Sequence, residues 1–250
     1  MEFINTNTTN IPENLKDNNV CVSHPEHIDD SINVDKSWYD TFENIGYYIN
    51  NYNHDNITIY SDGSFTYNIG GDTMNEYSVY RIFNAKPEEI GHLYVDFMIN
   101  TQNIISEEYS FIGAIGEVRN KLDVPFSEYS VVFYIIDSFI GTHPNSTFVA
   151  QEELKIGVYK VDGAEYTVYK FHYGSDIAEE IGYVQRDTYY SIRSESRDHD
   201  TIDISAHIKN WNALDLETAL ILNVGYGVIM GFGKCTLDVP LSKIYVDNED

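Results

Sequence analysis

Basic side chains are what this chain most conspicuously lacks. Fifteen lysines and arginines stand against forty aspartates and glutamates, a formal net charge of -25 at pH 7. Such a field repels phosphate backbones and anionic lipid, so it disfavours nucleic-acid and membrane-surface partners. Cysteine is nearly missing: Cys21 and Cys235 are the only two, too few for a disulfide framework. They leave either one bridge between the amino-terminal segment and a late strand, or two free thiols. Proline (6) and methionine (4) are also scarce. No apolar stretch approaches the roughly 20 residues of a membrane-spanning helix. Met1-Glu2-Phe3-Ile4-Asn5 lacks the basic start and apolar run of a secretion signal. Asn7, Asn56 and Asn145 head glycosylation sequons that would permit secretion, although an Asn-rich chain produces such triplets by chance.

Aromatic residues, by contrast, are plentiful, with 21 tyrosines and 12 phenylalanines. Aromatic and β-branched side chains suit the pleated surface of strands. Residues 1–40 are polar, Asn/Asp-rich and aperiodic, and read as a flexible arm. Residues 41–250 read as one all-β domain of short apolar or alternating runs separated by turn signals. Asp62-Gly63, Gly70-Gly71 and Asp162-Gly163 are expected as hairpin turns. Many short strands at this spacing imply a sandwich, jelly roll or barrel. One segment has helical character: Ser205 is placed to N-cap a helix through Leu214, with His207 and Trp211 four apart on one face. Packing against the back of a sheet accounts for both side chains without invoking a site.

The segment Ser191–Trp211 reads SIRSESRDHDTIDISAHIKNW. It resembles the family 11 glycoside hydrolase (xylanase) pattern S-V-R-x-S-x-R-x-x-G-T-I, then four residues, then H-x-x-A-W. Ser191, Arg193, Arg197, Thr201, Ile202, His207 and Trp211 match without a gap. Phe133-Tyr134-Ile135-Ile136-Asp137-Ser138-Phe139 is similar to the family's Y-Y-I-V-D-S-W. A weaker likeness joins Tyr60-Ser61-Asp62-Gly63 and Tyr77-Ser78-Val79 to W-T-D-G and Y-S-V-N-W. The resemblance implies a two-sheet antiparallel β-jelly roll with one α-helix on the back and a sugar-binding cleft on the concave face.

Retaining hydrolysis of a glycoside needs two carboxyl groups about 5 Å apart across the scissile bond. The resemblance puts the nucleophile five residues before the Asp of D-S-W, where this chain has Val132. It puts the acid/base at the first position of E-G-Y, where this chain has Met230. Neither side chain can attack or transfer a proton, so the expectation is a non-catalytic chain without metal or cofactor. Around them, Tyr173 stands at the family's Arg position, Thr188 at its Gln, Tyr189-Tyr190 at its Y-W, and Ile115 at the Tyr of Y-G-W. Tyr134 is the cleft residue that carries over. Tyr134, Tyr189, Tyr190 and Tyr226 are candidate sugar-stacking platforms.

The resemblance, with alternation on either side of Met230, implies that Val224, Tyr226, Val228 and Phe232 face the cleft as well. With Ile115 and Val132 they would make it largely apolar, covered by the thumb near Ser175–Gly182, by the arm, or by a partner. Three functions stay open. The first is an interaction or structural module, binding a protein partner or self-associating through that face. The second is a carbohydrate-binding module for a xylan-type polysaccharide. The third is a hydrolase with relocated carboxylates, for which Glu128 is the nearest candidate and a solvated strand end its plainer reading. Asp198-His199-Asp200 is the most suggestive acidic/histidine trio, and it falls on a turn. Family resemblance suggests a secreted or cell-surface setting.

Overall fold

Two unusually long strands organise the molecule: β5 (Phe65–Ala85) and β13 (Leu220–Asp247). The computed structural model describes residues 31–34, 38–42, 45–50, 56–60, 64–102, 109–122, 130–141, 143–144, 151–173 and 186–247. Shorter strands flank the long pair. They are β1 (Ser31–Val34), β2 (Trp38–Phe42), β3 (Ile45–Asn50), β4 (Asn56–Tyr60), β6 (His92–Gln102), β7 (Tyr109–Arg119) and β8 (Ser130–Ile140). After them come β9 (Lys155–Val161), β10 (Ala164–Tyr173), β11 (Arg186–Arg193) and β12 (His199–Asp203). A single turn, α1 (Pro87–Ile90), a 3-10 turn (Glu152–Leu154) and a ten-residue helix, α2 (Ile204–Ala213), complete the described elements.

The main path of strands runs β1-β4-β5-β13-β7-β8-β11-β10-β9, and β11–β8 is its one parallel pairing among the described residues. The first half of β13 pairs with β7 and with the second half of β5. Its second half pairs with β6 and with the first half of β5. Each long strand therefore passes from a wide layer (β13, β7, β8, β11, β10, β9) into a narrower one that contains β6 and β12. Between the layers lies the main core, where Phe65, Tyr67, Phe97 and Leu237 meet Phe133, Tyr189, Val224 and Tyr226. Phe97 and Tyr226 stack across it, ring centroids 5.1 Å apart. This is the two-sheet β-jelly roll with one substantial helix that the sequence implies.

Three expectations change. The arm does not extend to residue 40, because β1 pairs with β4 and β2 with β3 inside the sheet; their short alternation is hidden in a polar average. Gly70-Gly71 is not a hairpin turn but lies within β5, opposite Lys234 and Gly233. Asp203, not Ser205, caps α2, its carboxylate accepting from the Ala206 N–H at 2.8 Å. Ser205 instead ties the helix to the narrow layer, accepting from the Leu93 N–H at 2.9 Å. Asp162-Gly163 does turn β9 into β10, with positive φ at both residues (51° and 75°). No described helix is long and apolar enough to cross a membrane. Glu128, Ser175–Gly182 and Cys21, the possible partner of Cys235, lie outside the described residues.

Candidate active site

Side chains on a strand alternate between faces, and residues paired across strands share one. On the wide layer one set points into the main core: Val131, Phe133 and Ile135 of β8, Tyr189 of β11, and Ile112, Ala114 and Val118 of β7. The alternate set points to the outer face, which the resemblance makes the cleft. One row there is Asn223, Glu117, Val132, Thr188 and Phe171, from β13, β7, β8, β11 and β10 in turn. The next row is Gly225, Ile115, Tyr134, Tyr190 and Tyr169. A second apolar cluster floors this face, formed by Phe111, Ile136, Tyr169, Tyr190, Ile192 and Ile229.

Val132, Ile115, Tyr134, Tyr190 and Thr188 thus come together on the outer face. Val132 is 8 % exposed and Ile115 7 %, while Tyr134 is half-buried and stacks on Tyr190 with centroids 5.0 Å apart and planes 19° from parallel. Tyr189 and Tyr226 do not belong there. Both lie in the main core, on the opposite face of their strands, out of reach of any sugar. Val224 and Val228 are core residues for the same reason, so the expected apolar cluster of Val132, Ile115, Val224 and Val228 does not form. The cause is a register shift between Val228 and Met230, which breaks the alternation counted back from Met230. Met230 pairs with Phe111 and Tyr173 with Arg186; the side chains of Met230, Tyr173 and Phe232 lie outside the described residues.

The matched motifs converge elsewhere. Asp137, fully buried, accepts hydrogen bonds from the Tyr166 hydroxyl and from Nε of Arg197. Arg197 also bonds the Thr201 carbonyl at 3.1 Å and Asp200 at 2.5 Å. That ion pair, with the 2.6 Å contact of His199 to Asp198, occupies the acidic/histidine trio, of which His199 and Asp200 open β12 and do not lie on the turn. Arg193 donates to the Tyr166 hydroxyl at 3.2 Å. Further along β11, Ser191 Oγ accepts from Trp211 Nε1 at 2.8 Å and from the Tyr159 hydroxyl at 3.0 Å, and that hydroxyl also bonds His207 Nδ1. His207 Nε2 is buried without a partner. Burial first, then the nearby Arg197 and Arg193, push the imidazole down to about 3. These residues lock α2 and the β11–β12 turn to the sheet and leave the outer face untouched.

Sequence comparison completes the picture. The model of glycosyl hydrolases family 11 matches residues 125–231. A bifunctional acetylxylan esterase/xylanase of Neocallimastix patriciarum is 30% identical over 239 residues, 92% of this chain and 33% of that protein. Endo-1,4-beta-xylanase C of the same organism is 33% identical over 202 residues, 77% of this chain and 39% of that protein. The chain belongs to glycosyl hydrolase family 11. A crystal structure of an ENZbleach xylanase mutant superposes with a TM-score of 0.73 at 18% identity, over 96% of this chain and 91% of that one, and so shares the fold. The chain spans about a third of the length of the curated relatives it matches.

This family 11 membership overturns the expectation that the chain is not an enzyme. That expectation rested on Val132 and Met230 alone, and the matching relatives are xylanases. The one relocated carboxylate weighed against it was Glu128. Glu117 escaped notice. The motif comparison stopped at Ile115, although alternation from Ile115 puts residue 117 on the same face, opposite Val132.

Proposed function

We propose that this chain is a glycoside hydrolase acting on a xylan-type polysaccharide bound along the outer face of the wide layer. The observation that carries this reading is the row of that face where the stacked pair Tyr134–Tyr190 lies beside Ile115 and Tyr169. Sugar rings present apolar C–H faces that stack on aromatic rings, while their hydroxyls need oriented polar groups such as the half-buried Asn223 in the adjacent row. The xylanase relatives supply the substrate class. A polymer of this size fits a secreted or cell-surface setting.

The test is release of reducing ends from xylan, and of nitrophenol from an aryl β-xylobioside, against a heat-killed control. Turnover in both assays, and none on cellulose, is the expected result. Absence of turnover, with or without saturable xylan binding, would overturn the hydrolase reading.

A further inference from the structure

We propose that Glu117 is the catalytic carboxylate that faces the anomeric carbon in this cleft, standing in for the group that Val132 lacks; this rests on the hydrolase reading above. Glu117 lies directly opposite Val132 in the β7–β8 ladder, and Val132 in turn lies opposite Thr188. Opposed Cβ atoms in such a pair are about 4.5–5.5 Å apart. Valine ends at its Cβ branches, whereas a glutamate carries its carboxyl two carbons further. Glu117 is therefore long enough to carry a carboxylate past the end of the Val132 side chain on the same face. In the row Asn223, Glu117, Val132, Thr188, Phe171 it is the one carboxyl group.

Its placement is supported from the β13 side. A register shift between Ile221 and Asn223 sets Asn223 opposite Glu117. The Asn223 side chain brackets that residue twice: Oδ1 accepts from the Glu117 N–H at 3.1 Å, and Nδ2 donates to Glu117 Oε2 at 3.5 Å. The strands approach closely here, since a Cβ at Gly116 would lie 2.4 Å from the Asn223 carbonyl oxygen and 2.6 Å from the Phe133 ring. Glu117 is half-buried, so a backbone-tethered carboxylate is presented on the cleft face without being sealed in the core.

The chemistry is a double displacement. Met230 stands at the acid/base position, so water takes the place of the second carboxyl group: a Glu117 oxygen bonds to the anomeric carbon as the glycosidic C–O bond breaks, and the bonding pair leaves on the departing oxygen, which takes a proton from water. A second water then adds to the same carbon, its proton returns to solvent, and the carboxylate is released. Overall, one glycoside and one water give two hydroxyl products. Asn223 acts as a positioning residue, since a hydrogen bond to the ionised carboxylate favours that form.

The experiment uses 2,4-dinitrophenyl β-xylobioside, whose leaving group needs no acid, with the chain as it stands and with its Glu117→Gln, Glu117→Ala and Asn223→Ala variants. Folding is checked by circular dichroism. The expected result is a loss of kcat by about a thousandfold or more in Glu117→Gln. Azide should restore turnover in Glu117→Ala as glycosyl azide. Asn223→Ala should move the acid limb of the pH–rate profile upward. Independently of any variant, the 2-fluoro analogue should label the unmodified chain at Glu117, read by peptide mass spectrometry. Turnover within tenfold of the parent in Glu117→Gln, or a label on another residue, would overturn the assignment and leave the hydrolase reading standing. No turnover by the parent chain would overturn both.

Discussion

The two faces of the wide layer are built from the same strands, yet they relate to the family pattern in opposite ways. On the core face and behind it, Ser191, Arg193, Arg197, His207, Trp211 and Asp137 match the family motifs, and two hydrogen-bonded groups hold them: Ser191, Trp211 and His207 through Tyr159, and Asp137, Arg193 and Arg197 through Tyr166, with the Tyr166 ring against His207 at 4.6 Å. On the outer face, Ile115, Val132 and Thr188 depart from it. A buried network resists piecemeal change, because deleting one member strands the others without partners in a low-dielectric interior. An apolar side chain such as Ile115 or Val132, although buried, has no hydrogen-bond partner to strand and changes at lower cost. Motif retention therefore reports on the scaffold here, and the chemistry has to be read from the other face.

The largest expected effects break the network. Trp211→Ala removes a fully buried indole and its bond to Ser191, and should cost about 3–5 kcal/mol. Asp137→Ala should cost a similar ~3–5 kcal/mol, because it leaves the partly buried Arg197 without its buried counter-charge and with only the exposed Asp200. Val132→Ala, on the outer face, should cost less than about 1.5 kcal/mol, since only two methyl groups are removed. Urea midpoints for the three variants measure this directly. Equal losses on both faces would erase the distinction drawn above.

A pH titration sharpens it. His207 is held down to about 3 in the folded chain, against an ordinary value near 6.5. The unfolded state therefore binds the extra proton first, and this residue's contribution to stability falls as pH drops from about 6.5 towards 3. Within that window the loss amounts to roughly 1.4 kcal/mol per pH unit. His207→Gln, which cannot titrate, should be less stable at pH 7 but show a slope shallower by about that amount between pH 6 and pH 4. Parallel curves for parent and variant would mean that the imidazole is not buried neutral.

How far the fold was legible depended on whether each signal was local. The strand runs, the Asp162-Gly163 turn and α2 follow from alternation, turn chemistry and helical spacing, and the family pattern supplied the layers. Gly70-Gly71 misled because glycines mark close backbone approach as well as turns. The faces of β13 misled because a register shift leaves no mark in the one-letter sequence, yet it inverts every position beyond it. Ser205 and Asp203 are both good caps, and only tertiary contact with Leu93 decides between them. Glu117 was legible in principle, through alternation from Ile115, but its significance appears only once β7 is laid beside β8.

The smallest expected change in stability should accompany a large change in binding. Tyr134 is half-buried and stacks on Tyr190, with its hydroxyl end on the outer face of β8. An aromatic pair of this kind is worth about 0.5–1.5 kcal/mol beyond the area it buries. Tyr134→Phe keeps the ring and should leave the urea midpoint nearly unchanged, whereas Tyr134→Ala should lower stability by about 1–2 kcal/mol, well short of Trp211→Ala. Affinity electrophoresis in gels containing xylan supplies the second reading. Retardation should persist in Tyr134→Phe and fall severalfold in Tyr134→Ala, because the platform for the sugar face is the ring and not the hydroxyl. If Tyr134→Ala migrates like the parent in xylan, Tyr134 is packing of the outer cluster alone, and the sugar path does not cross that row.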